Sequence, residues 1–168
     1  RNSTVDGVKT GHTDNAGFCL VASGKTTDMR LTAIILGATS DDMRVNEANR
    51  LLTWGFRFFE TRLVHNTNDT LQNVRIWSGK TTQLNLGLAQ DLYITIPRGK
   101  FKNLDITMNI PTIIKAPMEQ GTQVGLYKIT LQEQTIAEQP IIAMDSVKAG
   151  NFWQRLKDSS LLSMQNLL

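Results

Sequence analysis

The sequence predicts an α+β chain in three parts: antiparallel strands with a long helix over 1–62, a small all-β sandwich over 63–150, and an amphipathic helix over 151–168. Three observations predict it. Apolar residues recur at helical spacing from Ala48 to Phe59, the period changes to two beyond the polar run 66–70, and helical spacing returns after Gly150.

Three strands are expected first, over Thr4 to Lys9, Gly17 to Ser23 and Met29 to Gly37. The polar stretch 11–15 separates the first two, and a turn over 24–28 separates the last two. The third is nearly all apolar from Ala33, which reads as a strand covered on both faces. Ser40 and Asp41 are helix N-cap residues, whose side-chain oxygens accept orphan N–H groups of the first turn. Ala48, Leu51, Leu52, Phe56 and Phe59 then share one helical face, and the helix is expected to end near Arg62 to His65. The domain boundary is placed at residues 60–70, where polarity breaks the pattern. Beyond it, six strands are expected over 74–77, 84–88, 92–96, 104–110, 124–131 and 136–143. Their short turns are rich in Gly, Pro, Asn and Asp. In the last segment Phe152, Trp153, Leu156, Leu161, Met164, Leu167 and Leu168 share one half of a helical wheel. Arg155, Asp158 and Leu162 fall on the polar side.

Composition excludes several functions. The net charge of +3 is spread along the chain, with seven basic and seven acidic residues over 1–60 and nine against seven over 61–150. No basic stretch interleaved with aromatics builds a nucleic-acid groove. No apolar run approaches the roughly 20 residues that cross a bilayer. Cys19 is the one cysteine and reads as a small buried strand residue, so no disulfide, metal or cofactor is expected. The histidines, His12 and His65, stand without acidic residues at ligand spacing. Gly-Lys-Thr occurs at 24–26 and 79–81, but the glycine a phosphate loop needs upstream is replaced by Cys19 and Val74.

Lys9-Thr10-Gly11 at the end of the first strand has a chemical meaning. A strand edge can pair with an extended peptide, a lysine ammonium supplies positive charge beside a nucleophile, a threonine hydroxyl bonds a carboxylate, and glycine permits close approach. The same tripeptide is one of three elements of β-lactamases and penicillin-binding proteins. The residues around it extend the likeness: Val5-Asp6-Gly7-Val8-Lys9-Thr10-Gly11-His12-Thr13-Asp14, Leu20-Val21-Ala22-Ser23, Leu51-Leu52-Thr53-Trp54-Gly55-Phe56-Arg57-Phe58-Phe59-Glu60, Ile94-Thr95-Ile96-Pro97-Arg98-Gly99 and Gly150-Asn151-Phe152. From end to end the chain resembles the C-terminal portion of the low-molecular-mass penicillin-binding proteins that act as D-alanyl-D-alanine carboxypeptidases.

The resemblance implies the C-terminal part of a β-lactamase-like domain, a β-rich second domain and the start of an anchor helix. It implies a serine attacking the penultimate D-alanine of a peptidoglycan stem peptide, with loss of the terminal D-alanine and hydrolysis of the acyl-enzyme. β-Lactam antibiotics acylate the same serine. By position, Lys9 would assist proton transfer as the catalytic residue of this segment. Thr10, Gly11, His12 and Arg44 would bind substrate, the N–H of His12 serving as an oxyanion donor and Arg44 anchoring the carboxylate arrangement from behind. Phe152, Trp153, Leu156, Leu161, Met164, Leu167 and Leu168 would lie in the periplasmic surface of the bacterial inner membrane.

None of the eight serines begins a Ser-x-x-Lys or Ser-x-Asn motif. The nucleophile is therefore expected in an N-terminal part of the enzyme outside this chain, which alone should be inactive. Two other classes stay open at this point: a β-lactamase, disfavoured by the residues after Glu60, and a non-catalytic wall- or membrane-binding module. Labelling by a fluorescent penicillin separates the second from an enzyme.

Overall fold

The computed structural model describes residues 4–165, with side chains as far as Leu162. It divides into two compact units, one comprising residues up to Arg62 together with Thr95–Lys102, the other Leu63–Ile94 and the residues from Asn103 onward.

In the first unit β1 (Val5–Thr13), β2 (Gly17–Lys25) and β3 (Arg30–Ala38) form an antiparallel sheet in that order, so β1 is an edge. The first strand does not stop at Lys9. It continues through Gly11 and His12, because those residues pair with Cys19 and Phe18 on β2 and the reversal is left to Gly17, whose φ of 64° suits glycine. Asp6 on β1 receives two hydrogen bonds from the Arg30 guanidinium on β3, at 2.8 and 2.7 Å, which ties the outer strands together across β2. The Asp6 carboxyl is held below its ordinary range, first by that hydrogen bond.

Helix α1 (Asp41–Phe58) starts where expected: the Ser40 hydroxyl accepts from the Met43 N–H at 3.1 Å, and Asp41 and Asp42 complement the helix dipole. It packs on the sheet through Ala48 and Leu52 against Ala22 and Ala33, with Leu20, Leu31, Ile35 and Phe56 around them. Small residues bring the helix close. At Gly55 a Cβ would meet Leu31 Cδ1 at 2.5 Å. The other sheet face is not covered as expected: Ile34 and Leu36 on β3 are 60% and 74% exposed. Cys19 is only partly buried, where a small buried strand residue was expected.

The helix also ends earlier than its apolar period suggests. Phe59 opens β4 (Phe59–His65) instead of closing the helix. The reason is Arg98, whose guanidinium donates to the carbonyls of Phe56, Arg57 and Phe59 at 3.0, 3.2 and 3.2 Å, satisfying acceptors that further turns would have used. Glu60, 8% exposed, accepts from the Gly99 N–H at 2.8 Å and from Arg62 at 2.8 and 3.0 Å. The Gly99 N–H, then Arg62, hold its carboxyl below the ordinary glutamate range. A depressed folded-state pKa contributes stability that is present above the unfolded value and fades as pH falls through the folded one. Glu60→Gln should therefore cost stability at neutral pH, and the difference from wild type should shrink on acidification below the ordinary glutamate range. Urea unfolding across that range checks this; a pH-independent difference would rule it out.

The second unit holds β5 (Gln72–Trp77), β6 (Gln83–Leu88), β8 (Leu104–Asn109), β9 (Ile114–Lys115), β10 (Gln123–Leu131) and β11 (Gln134–Ala143). They form a six-stranded sheet in the order β8-β10-β11-β6-β5-β9, antiparallel except for β5 with β9. A further strand, β7 (Leu92–Pro97), pairs with β4. The six strands read from the period of two are all present within a few residues, whereas β4 and the two-residue β9 were not anticipated. Leu84, Leu86, Leu88, Ile129 and Ile141 are at most 1% exposed and form the centre of this unit. Helix α2 (Phe152–Gln165) belongs to it as well.

Candidate functional site

The candidate site is the outer edge of β1. Residues 6–13 are exposed, and a cleft of about 690 Å³ runs along Val5–Thr10, walled by Leu20, Ala22, Val45, Ala48 and Asn49. Lys9 and Thr10 lie opposite Val21 and Leu20 in the ladder. Successive side chains of a strand project to opposite faces, so Lys9 and Thr10 present their functional groups on the two sides of the same edge. The Lys9 ammonium donates to the Thr10 carbonyl at 2.7 Å, within its own strand. It has no carboxylate partner among the described residues.

Arg44 is not a surface residue. Its side chain is 11% exposed, paired with Asp41 one turn earlier, and its Nη1 donates at 3.0 Å to both the Gly11 and the Cys19 carbonyls, which face each other across β1 and β2. The guanidinium lies over the Phe18 ring, 5.4 Å from its centroid, and that ring lies 4.1 Å from the His12 ring. Nη1 is thus spent on main chain and Nη2 on Asp41, while the buried Nε has no hydrogen-bond partner. The consequence concerns His12: the Gly11 carbonyl and the His12 N–H belong to one planar trans peptide and point in opposite directions. Fixing the carbonyl on Arg44 aims the N–H away from it. Arg44, placed by the resemblance behind the carboxylate arrangement, hydrogen-bonds the carbonyl of the peptide that carries the His12 N–H. Phe18 was missed by sequence reasoning, because nothing local signals that it sits between His12 and Arg44.

The second set of expected functional residues lies on α2. Asn151 and Gln154 form a reciprocal capping box, with Gln154 N–H donating to Asn151 Oδ1 at 2.9 Å and Asn151 N–H to Gln154 Oε1 at 3.1 Å. Phe152 and Trp153 are 70% and 74% exposed, and Leu156 and Leu161 are also open to solvent. The side chain of Met164 and the residues Leu167 and Leu168 lie outside the described part. The face expected to be polar and solvated instead docks the helix. Leu162 is buried, and Asp158 accepts from the Ser78 N–H at 2.7 Å and pairs with Arg75 at 3.4 Å. Arg75 is itself stacked 3.7 Å over Trp77. The wheel placed Leu162 on the polar side, because it carries no record of the β surface against which that face packs.

No group of metal-ligating side chains occurs among the described residues, and none of the described helices is long and apolar enough to cross a membrane.

Residues 59–149 match the family described as the C-terminal domain of penicillin-binding protein 5, and residues 1–40 match the D-alanyl-D-alanine carboxypeptidase family. Over 159 residues the chain is 43% identical to the D-alanyl-D-alanine carboxypeptidase DacC of Escherichia coli K12, covering 94% of this chain and 40% of the relative. DacA of the same organism is 37% identical over 155 residues, with 92% and 38% covered. Among solved structures, penicillin-binding protein 5 from Haemophilus influenzae superimposes with a TM-score of 0.79 at 33% identity, over 86% of this chain and 43% of that one. The chain thus spans about 40% of the length of the curated relatives it matches.

Proposed function

The chain belongs to the low-molecular-mass penicillin-binding proteins, the D-alanyl-D-alanine carboxypeptidase family, and we propose that it supplies the β1 edge of that activity to a serine carried on a segment outside it. The observation that carries this reading is the fixed Gly11–His12 peptide. An exposed strand edge with an ammonium on one side, a hydroxyl on the other and a braced N–H suits a peptide ending in a carboxylate. Such a peptide would add as a further strand along Lys9–His12. The Thr10 hydroxyl would bond its terminal carboxylate, Lys9 would support proton transfer at the serine, and the His12 N–H would stabilise the tetrahedral oxyanion. A stem peptide of peptidoglycan and a β-lactam antibiotic fit the same edge. Joining the N-terminal portion of the Escherichia coli relative DacC to this chain at Arg1 tests the assignment. The chimaera should release D-alanine from a stem peptide and label with fluorescent penicillin, whereas the 168-residue chain alone should do neither. Labelling of the chain alone, or a folded chimaera that does not label, would defeat it.

The β unit would act as a spacer, and α2 as a peripheral anchor on the periplasmic side of the inner membrane. Phe152 and Trp153 support this, as large apolar side chains turned outward from a helix whose opposite face is docked. Each such side chain moved into lipid is worth roughly 1.5–3 kcal/mol. The double substitution Phe152→Ser/Trp153→Ser should accordingly weaken vesicle partitioning by about 100-fold or more. Flotation with unchanged partitioning would remove the anchor role.

A further inference from the structure

Between α2 and the β unit there is a second cleft, of about 430 Å³, lined by Ser78, Lys115, Ala116, Pro117, Ala149, Arg155 and Ser159. Its lining carries two cations from different elements, Lys115 at the end of β9 and Arg155 on α2, and no carboxylate. Neither cationic side chain has an ion-pair partner among the described residues. The nearest acid on the helix, Asp158, accepts from the Ser78 N–H and is paired with Arg75, whose positive charge balances its own. That same commitment fixes the wall. Asp158 and Leu162 hold α2 down, the Asn151–Gln154 box fixes where it starts, and Gly150 N–H donates to the Ser78 carbonyl at 2.8 Å. Arg155 is therefore presented to the cleft by a docked helix and not by a free tether.

We propose that this cleft is a binding site for a phosphodiester anion, and that its ligand is the headgroup of an anionic phospholipid. A guanidinium and an ammonium from different elements, together with the Ser78 hydroxyl in the same lining, suit a monoanionic phosphate that needs several donors at once. Lipid is favoured as the source because the helix that supplies Arg155 also carries the exposed Phe152, Trp153 and Leu156 within three residues of it. A headgroup held there would leave its acyl chains next to those side chains. Attraction of the surface for anionic lipid would then come from one built site, whereas the modest charge of the helix, two basic residues against one acidic, would supply little.

The proposal rests on the anchor reading, and its test separates the two. Partitioning of the 168-residue chain is measured on phosphatidylcholine vesicles with and without phosphatidylglycerol. Lys115→Gln/Arg155→Gln is expected to abolish the phosphatidylglycerol-dependent gain, a loss of about tenfold or more, while leaving binding to phosphatidylcholine unchanged. Lys128→Gln/Lys157→Gln, which removes two cations outside the cleft, should keep most of the gain. Equal losses from both pairs would mean diffuse charge and overturn the site. In parallel, the Arg155 side-chain resonances are followed during titration with soluble glycerophosphoglycerol and with inorganic phosphate. A shift with glycerophosphoglycerol that is lost in Lys115→Gln supports the site even if the chain binds no vesicle, which would count against the anchor alone. A shift with inorganic phosphate, with no gain from phosphatidylglycerol, would identify a free-phosphate site and refute the lipid assignment. No shift with either compound refutes the cleft as an anion site.

Discussion

Lys9→Gln in the DacC–chimaera is expected to slow acylation by penicillin by about 10²–10⁴-fold, the range a positioned proton-transfer group supplies. The residue is exposed on an edge strand and its one hydrogen bond, at 2.7 Å, is to the neighbouring carbonyl of Thr10, so nothing in the core depends on it. Stability should therefore be unchanged within about 0.5 kcal/mol, as is usual for surface positions. The pairing of a large kinetic loss with an unmoved unfolding midpoint distinguishes a chemical role from a structural one. Stopped-flow acylation with a fluorescent penicillin, alongside urea unfolding, reads both. A wild-type acylation rate in the variant would leave the β1 edge without a catalytic function. A collapse of stability would instead show that Lys9 holds the strand.

The largest effect on stability is expected at Ile129. It is fully buried on β10, between β8 and β11, facing Ile106 in one ladder and Ala137 in the other. Truncating such a residue to alanine removes its transfer energy and leaves a cavity, typically costing 2–5 kcal/mol. A domain of this size has about 5–15 kcal/mol in total, so Ile129→Ala should bring the second unit close to unfolding at moderate temperature. Ile106→Ala, across the same ladder but 49% exposed on the edge strand β8, should cost roughly 1 kcal/mol or less, because little area returns to water. Urea unfolding followed by far-ultraviolet circular dichroism compares them. Similar costs at the two positions would show that the centre of this unit lies elsewhere.

The pattern of residues made much of this legible. Alternation in Leu92-Tyr93-Ile94-Thr95-Ile96 announced β7, and its inward residues are the buried ones. Ser40 marked the start of α1, because capping is a local hydrogen bond within a few residues. What was not legible has a common origin. Phe59 continues the apolar stripe of α1, and only Arg98, some forty residues away, turns the chain into a strand there. Gly11 and His12 looked like a loop by composition, and pairing with β2 makes them strand.

The sequence by itself determined the kinds of element, their order, the Lys9-Thr10-Gly11 edge and the two-sided terminal helix, since period, capping and turn chemistry are written in neighbouring residues. Tertiary structure alone decided that Arg44 braces the Gly11–His12 peptide, that Asp158 and Leu162 dock α2, and that Lys115 and Arg155 face one cleft. Each of those depends on a partner distant in the chain. A hydrophobic or charged side chain encodes that it must be satisfied, whereas the packed fold selects what satisfies it.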